Sequence, residues 1–529
     1  LIVNGVANDM NEYGTKLMSE YYSDKAFKRL RSYFGHVESG TEDDYRTPLF
    51  GGKDREEVMD AWKPKLEAKL SGMEGLLDFE NDLRSKVGPL SIMKPLDERM
   101  DDIDAYYSSI HQESKPISSE ARAALIKDWR RSIGGLRLKS VPATWDNMKK
   151  STSSGSPYFG RRRDYIDATL PAIVSASSMK QQLHKEKYSM CATLGWRGQE
   201  GGPEDDDVKQ RVIWMFPLAA NIQELRVYQV LIEACQRFNL VPAWNGNDAV
   251  DEDITALFDT KGKDDVIICT DFTKFDQHFN AAMQECALDV LSNLFTLDDD
   301  FKVWSKEVYP IKYSIPLMYD WGRVRVGDHG MGSGSGGTNA DETLSHKCLQ
   351  LEAAITAGAT LNPHSMCLGD DGLLTYPGIT LDHVLDSYTQ HGLEMNESKQ
   401  SVSKSEATYL RRWYSSEYRL NGIARGVYST YRALGKLMGQ ERFYDPDKWG
   451  PEMVVMRSLS IIENCKWHPA KEEFLEFCVN GDKYRLGLDI PGFFDNLEHM
   501  YESNELAQSF KSYTAGDNVG INDWWVSYR

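Results

Sequence analysis

Two pairs of acids in this chain sit where phosphoryl chemistry could be done. Asp271 and Asp276 follow the apolar run Val266-Ile267-Ile268-Cys269. Asp370 and Asp371 lie in Gly369-Asp370-Asp371-Gly372, between Met366-Cys367-Leu368 and Leu373-Leu374-Thr375-Tyr376. Carboxylates at adjacent strand ends repel unless a cation lies between them. A hard divalent ion takes oxygen ligands, and Mg2+ in particular takes one or two carboxylates plus phosphate oxygens. Two such ions about 3.5–4 Å apart activate a hydroxyl and steady a leaving phosphate. Either acid pair alone is ordinary turn composition. Together, each behind an apolar strand, they point to metal chemistry.

Phosphate also calls for cations. Lys209 and Arg211 precede the strand-like Val212-Ile213-Trp214-Met215-Phe216, and alternation puts both on one side. That suits a triphosphate, with Arg bidentate on its oxygens; it equally suits a solvated strand edge. Lys399, after Met395-Asn396-Glu397-Ser398, is uninformative by itself. Gly332-Ser333-Gly334-Ser335-Gly336-Gly337 has the form G-x-G-x-x-G. A nicotinamide site needs an acid about twenty residues on, at a second strand end, but Glu352 falls within a predicted helix. A P-loop needs Lys after its last Gly, and Thr338 stands there. A pliant loop that lets backbone approach a template or nucleotide remains, beside an ordinary flexible turn.

Periodicity outlines the elements that must position these residues. Phe279, Met283, Cys286, Val290 and Leu294 recur at steps of three and four, a helical stripe. Arg323-Val324-Arg325-Val326 alternates like a strand with one wet face. Leu344, Cys348, Leu351 and Ile355 mark a helix ending near Gly358. The segments flanking Asp370 and Asp371 read as a hairpin with acids at its tip. Leu381, Val384, Leu385 and Tyr388 mark a further helix, ending at Gly392. The order strand, helix, strand, helix, hairpin, helix, strand predicts an α/β (mixed α+β) chain with a sheet backed by helices.

Composition bounds the rest. A chain of 529 residues has room for about three domains or subdomains. With 41% hydrophobic and 27% charged residues it can bury a core, which argues against wholesale disorder. The net charge of −19 argues against a protein that coats nucleic acid. Yet Lys127 to Arg163 holds ten basic residues against two acids, which leaves room for an enclosed basic channel. The eight cysteines show no C-x-x-C spacing, so reduced core thiols in an intracellular setting are expected, with no zinc site. No membrane-spanning run is found, and the first ten residues are too short and polar for a secretory leader.

In chain order these pieces resemble the motif series of viral RNA-dependent RNA polymerases, over about residues 149–412. Thr152-Ser153-Ser154-Gly155-Ser156-Pro157 resembles the template-entry motif, and Lys209-Gln210-Arg211 the basic nucleotide-entry motif. Asp271 to Asp276 is similar to the first palm motif, Ser333-Gly334 with Thr338 to the second, and Gly369-Asp370-Asp371 to the third. Asn396 with Lys399 resembles the fourth, and Tyr409-Leu410-Arg411-Arg412 the primer-grip hairpin. Length and the form of the second motif are closest to picobirnaviruses, with partitiviruses as neighbours, both with segmented double-stranded RNA genomes.

The resemblance implies an enclosed right hand with a palm on a small antiparallel sheet. Residues 1–105 would bridge fingers and thumb. Residues 106–260 would form fingers, with 295–330 returning to them; 261–294 and 331–412 the palm; 413–529 the thumb and tail. Asp271, Asp370 and Asp371 would hold two Mg2+ or Mn2+ ions. Asp276 would help read the ribose 2′-hydroxyl. Lys209 and Arg211 would grip the triphosphate of a ribonucleotide. Ser333, Gly334 and Thr338 would place template and ribose. Thr152, Ser153, Gly155 and Pro157 would contact template, and Lys399 would protonate pyrophosphate. RNA template, nascent RNA and a capsid protein are the implied partners, in the virion interior or host cytoplasm, without membrane. One position departs from the pattern: Glu342 stands where an Asn is usual, with Asn339 and Asp341 nearby, so the partner of Asp276 is open.

A reverse transcriptase, the nearest alternative, usually has a bulky aromatic at the position of Asp276. A noncatalytic RNA-binding structural protein would not need Asp271, Asp370 and Asp371 intact. The tail residues Trp524, Trp525 and Tyr528 either stack on an initiating nucleotide or dock as core on the thumb. Lys127–Arg163 is expected to line the RNA tunnel.

Overall fold

The computed structural model describes residues 13–503; the aromatic tail with Trp524, Trp525 and Tyr528 lies outside them. At the centre stands a four-stranded antiparallel sheet in the order Ser401–Ser403, Ile267–Thr270, Asp371–Leu374, Met366–Leu368. All four residues of Ile267–Thr270 are buried. A strand covered on both faces reads as a near-continuous apolar run rather than an alternation, which is why Val266 to Cys269 stood out in the sequence, with Thr270 its one polar residue. Helices Ala281–Leu294, Thr338–Thr356 and Ser119–Trp129 pack together, and the middle one also meets Met366–Leu368 and the helix Leu381–Thr389.

The predicted elements are present with shifted ends. The first acid strand runs one residue later than its apolar run, so Thr270 belongs to it. The helix predicted from Phe279 begins at Ala281, where the side chain of Asn280 accepts the Met283 N–H and caps it; Phe279 precedes the helix as core. The strand carrying Lys209 and Arg211 spans Lys209–Met215. It pairs antiparallel with Ala192–Gln199, which pairs in parallel with Leu317–Asp320; that strand pairs antiparallel with Arg323–Arg325. A third sheet, Glu406–Tyr409, Arg412–Ser415 and Val427–Tyr428, lies against the central one, with Thr408 N–H reaching Cys269 Sγ at 3.4 Å.

The early chain packs against two distant regions. Met18, Tyr22, Leu30 and Phe34 share a small core with Cys191 and Met318. Trp62, Leu66 and Leu76 share another with Leu434, Met456 and Phe474 of the late helices. Glu80 is wholly buried at that second junction and accepts from Thr430 N–H at 2.7 Å and Thr430 Oγ1 at 2.6 Å. All eight cysteines are free and buried. Among the described residues no helix is long and apolar enough to cross a membrane.

Candidate active site

The acids meet at one sheet edge because of register. Leu368 pairs with Asp371, so Gly369 and Asp370 form a two-residue hairpin turn. Gly369 takes φ +59°, a left-handed value that glycine adopts without strain. Gly372 pairs with Thr270. Continuing that antiparallel register by one step sets Asp271 opposite Asp371, where facing Cα atoms lie about 4.5–5.5 Å apart. Asp271 and Asp370 are exposed and Asp371 is half-buried.

Their ionisation reflects crowding. Burial pushes the Asp370 carboxyl up to about 6, with Asp276 adding and Arg211 opposing. Asp370 nonetheless touches solvent at its tip. Burial pushes Asp371 up to about 7, with Asp370 adding and Leu410 N–H opposing. Asp271 is raised by burial against the pull of Lys399, Lys209 and Lys86. Among the described residues no three His, Cys, Asp or Glu side chains form a ready metal cage. A site that takes Mg2+ on few carboxylates plus phosphate does not need one, and a knot of raised carboxylates is the donor set a divalent cation relieves.

Several props of this edge were not legible in the sequence. Thr343 Oγ1 accepts Gly369 N–H at 2.9 Å, and His346 Nδ1 pairs with the Gly369 carbonyl at 2.8 Å. Burial lowers the His346 pKa to about 4, so the ring is neutral and Nδ1 carries the proton. Gln350 Nε2 donates to the carbonyls of Met366 and Leu373. These three lie on one face of the helix Thr338–Thr356, a polar stripe at steps of three and four in an otherwise apolar surround. That stripe was the available signal. Gln400 brackets Asp271: its Oε1 accepts Asp271 N–H at 2.7 Å and its Nε2 donates to the Asp271 carbonyl at 2.9 Å. Asp371 Oδ2 accepts Leu410 N–H at 2.8 Å, tying the Leu410-Arg411 turn to the acids.

Cations ring the acids. Lys209 feels Lys86, Arg411, Lys399 and Arg211 as like charges that, with burial first, lower its pKa. Lys86, from a segment far ahead of the motif series, was not singled out from sequence; Arg411 was read only as part of the primer-grip hairpin, not as a cation beside the acids. Lys209, Arg211 and Lys399 are exposed toward this space.

The glycine loop is pinned. Ser333 Oγ donates to Val212 O at 3.3 Å and accepts Trp214 N–H at 3.4 Å. Thr338 Oγ1 donates to Gly332 O at 3.2 Å. A Cβ at Gly334 would lie 1.6 Å from the Trp214 carbonyl oxygen, so only glycine lets this backbone approach the strand. Gly334→Ala is expected to destabilise the protein by about 2–4 kcal/mol, read as a lower denaturant midpoint.

In the template-entry segment Thr152 is exposed and Ser153 half-buried, while Gly155 and Pro157 are buried. Pro157 O accepts Ser23 N–H at 2.9 Å, so these two shape the loop and the first two face outward. The basic block is only partly free. Lys150 Nζ donates to three nearby carbonyls. Lys139 pairs with Glu233 at 2.5 Å and Arg137 with Asp298 at 3.3 Å.

The open position resolves around Glu342. Successive helical residues point about 100° apart. Asn339 therefore meets Trp244 Nε1 at 2.9 Å. Asp341 turns into the core, accepting from Tyr228 and Tyr313 hydroxyls and lying 3.0 Å from Lys312 Nζ. Glu342 is buried and hydrogen-bonds Asp276. A bond between two carboxyl groups needs a proton. Burial first, then Asp276, pushes Glu342 well up, so Glu342 holds that proton.

The family model for viral RNA-dependent RNA polymerase matches residues 96–427. A potential RNA-dependent RNA polymerase of human picobirnavirus (strain Human/Thailand/Hy005102/-) is 53% identical over 512 residues, covering 94% of this chain and 95% of the relative. The crystal structure of a human picobirnavirus RNA-dependent RNA polymerase superimposes at TM-score 0.92 with 51% identity, covering 97% of this chain and 99% of that one. Its insertion-loop deletion mutant superimposes at 0.90 with 52% identity, over 94% and 98%. An acid-bearing sheet edge ringed by cations, on a fold shared almost end to end with these enzymes, places the chain in the viral RNA-dependent RNA polymerase family, as a nucleotidyltransferase.

Proposed function

We propose that this polymerase transcribes and replicates a segmented double-stranded RNA genome by two-metal nucleotidyl transfer from ribonucleoside triphosphates. The observation that carries the reading is the sheet register, which sets Asp271 opposite Asp371 and beside Asp370, facing Lys86, Lys209, Lys399 and Arg411. Two Mg2+ or Mn2+ ions held by Asp271, Asp370 and Asp371 would supply hydroxyl activation and charge neutralisation at the reacting phosphate.

The chain's own residues do the positioning. The 3′-hydroxyl of the growing strand attacks the α-phosphate in line, and pyrophosphate leaves. Lys209 and Arg211, joined by Lys86 and Arg411, hold the triphosphate oxygens. Lys399 passes a proton to departing pyrophosphate. Thr152 and Ser153 guide template, with Gly155 and Pro157 fixing their loop. Ser333, Gly334 and Thr338 form the platform for template and incoming ribose. Base pairing selects the nucleotide, while the protein reads backbone and 2′-hydroxyl. Such catalysis is mostly positioning and electrostatics.

In this reading residues 106–260 and 295–330 are fingers, 261–294 and 331–412 palm, and 413–529 thumb and tail, with 1–105 bridging fingers and thumb. Work inside a virion, against a capsid protein, fits a double-stranded genome. The test is metal-dependent ribonucleotide incorporation on single- and double-stranded RNA. Failure on both templates with Mg2+ and with Mn2+ present sinks the proposal.

Metal binding must displace protons from Asp370 and Asp371, whose carboxyls sit near 6 and 7. The Mg2+ concentration for half-maximal synthesis is therefore expected to rise as pH falls from 8 to 6, by up to about tenfold per displaced proton per pH unit below those values. Titration calorimetry in buffers of different ionisation enthalpy should register proton release. A metal affinity flat across this range would contradict the ligand assignment.

A further inference from the structure

Behind the glycine loop lies a buried charged group that the chemistry above leaves unused. Glu224, on the helix Leu218–Arg237, is wholly buried. Its Oε2 accepts from Ser335 Oγ and its Oε1 from Gly336 N–H at 3.2 Å. Asn221, three residues earlier on the same helix, satisfies both neighbours in one amide orientation: its nitrogen then donates to Glu224 Oε1 at 3.0 Å, and its oxygen accepts from Arg162 Nη2 at 2.9 Å. Arg162 Nη1 also donates to Lys149 O at 3.1 Å. Leu218, at the helix start, donates its N–H to Ser154 O at 2.9 Å. The first two turns of this helix thus grip the template-entry segment with one set of bonds and the glycine loop with another.

The loop needs such an anchor. Glycines at 332, 334, 336 and 337 leave the backbone little preference of its own. Ser333 fixes its near end to Val212 and Trp214; Glu224 fixes the far end. An apolar contact would have filled the space at far less cost than a buried carboxylate. What a carboxylate adds is direction: two acceptors aimed at an N–H and an O–H.

We propose that Glu224 is a positioning residue of the polymerase. Oriented by Asn221 and Arg162, it sets the Gly332–Gly337 loop relative to the template-entry segment and so couples template placement to nucleotide placement. This rests on the reading of that loop as the template and ribose platform. The charged and titratable groups facing Glu224 are Lys312 and Asp341 behind it, the Tyr228 hydroxyl on its own helix, and Arg162 through Asn221. Burial raises the Glu224 carboxyl to about 7, opposed by Lys312, the Ser335 hydroxyl and Gly336 N–H, with Asp341 adding. Only the ionised form accepts through both oxygens, so the loop is held best above that pH.

The test is steady-state RNA synthesis at saturating Mg2+ between pH 6 and 8.5. In the wild type, KM for template and for nucleotide should both rise as pH falls through 7. Glu224→Gln, whose amide accepts through one oxygen only, should raise both KM values about tenfold at pH 8, change kcat less, and flatten their pH dependence. Ser335→Ala, which leaves Glu224 charged, should raise both by a smaller factor. It decides the matter if the first variant does not fold: unchanged KM values in Ser335→Ala then overturn the proposal. Gly334→Ala separates the two ideas. If it raises both KM values while Glu224→Gln leaves them unaltered, the Glu224 role is overturned and the platform stands. If neither variant moves KM, the platform reading falls with it. A fall in kcat alone for Glu224→Gln also overturns the coupling.

Discussion

Asp370→Asn is expected to lose RNA synthesis by roughly a thousandfold or more, and yet to melt at a higher temperature than the wild type at pH 8 in the absence of divalent cations. The two effects share one cause. Asp370 and Asp371 have carboxyls near 6 and 7 in the fold against 3.8 for an ordinary aspartate. A carboxyl raised on folding contributes stability that is whole below its unfolded value of about 4. That stability is lost as pH rises through 6 and 7, where the folded protein ionises. Above pH 7 the cation-free enzyme therefore carries crowded, ionised acids held for a ligand. Asn removes one charge and much of the repulsion. The expected gain is about 1–3 °C at pH 8, trimmed because Asp370 reaches solvent, and it should vanish near pH 4. Saturating Mg2+ should narrow or reverse the gap, since only the wild type gains fully from ligation. Paired thermal melts at pH 4 and 8, with and without Mg2+, check this. Full synthesis by the variant, or a melting difference indifferent to pH and Mg2+, would remove Asp370 from the metal site.

The acids were legible because their signal is local. Each follows a short apolar strand and is punctuated by glycine or a turn, and strand Ile267–Thr270 is buried along its whole length, with only Thr270 at its end polar. The hairpin tip could be read from Gly369 alone. What holds the acids in place was not local. Gln400 meets Asp271 across 129 positions and Glu80 meets Thr430 across 350. A single glutamine or glutamate in a helix or loop carries no pattern that announces such a pairing. His346 and Thr343 lie nearer in sequence to Gly369, but their polar stripe is diluted by the apolar residues of a buried helix. The basic block misled in degree: charge density could be counted, but not that Lys150, Lys139 and Arg137 spend their donors on carbonyls and carboxylates of their own fold. The overall right hand came from the resemblance; periodicity alone reached only a sheet backed by helices.

Glu342→Ala is expected to erase much of the preference for ribonucleotides over deoxyribonucleotides, by about 10- to 100-fold in the ratio of their kcat/KM values. Asn is usual at this position in the family the chain resembles, and an amide can donate to an aspartate while accepting from a hydroxyl. A protonated glutamic acid offers the same two faces, an O–H to give and a carbonyl oxygen to receive with. Glu342 is kept in that state by burial and by Asp276, Asp370 and Asp341 around it, and no N–H or hydroxyl of the described residues reaches its buried Oε1. One O–H···O bond to Asp276 leaves acceptor capacity on the pair unspent, with Asp370 close by. On this expectation a 2′-hydroxyl would fill it, a deoxyribose would leave buried oxygens unpaired, and that penalty would be the discrimination. Glu342→Gln keeps a donor for Asp276 and an acceptor for the sugar, so it should retain most of the selectivity and show that shape and hydrogen bonding, not charge, carry it. Competition between matched ribo- and deoxyribonucleotides on one template measures the ratio directly. An unaltered ratio in Glu342→Ala would leave sugar reading to Asp276 alone, and would make Glu342 a residue that merely holds a proton beside the acids.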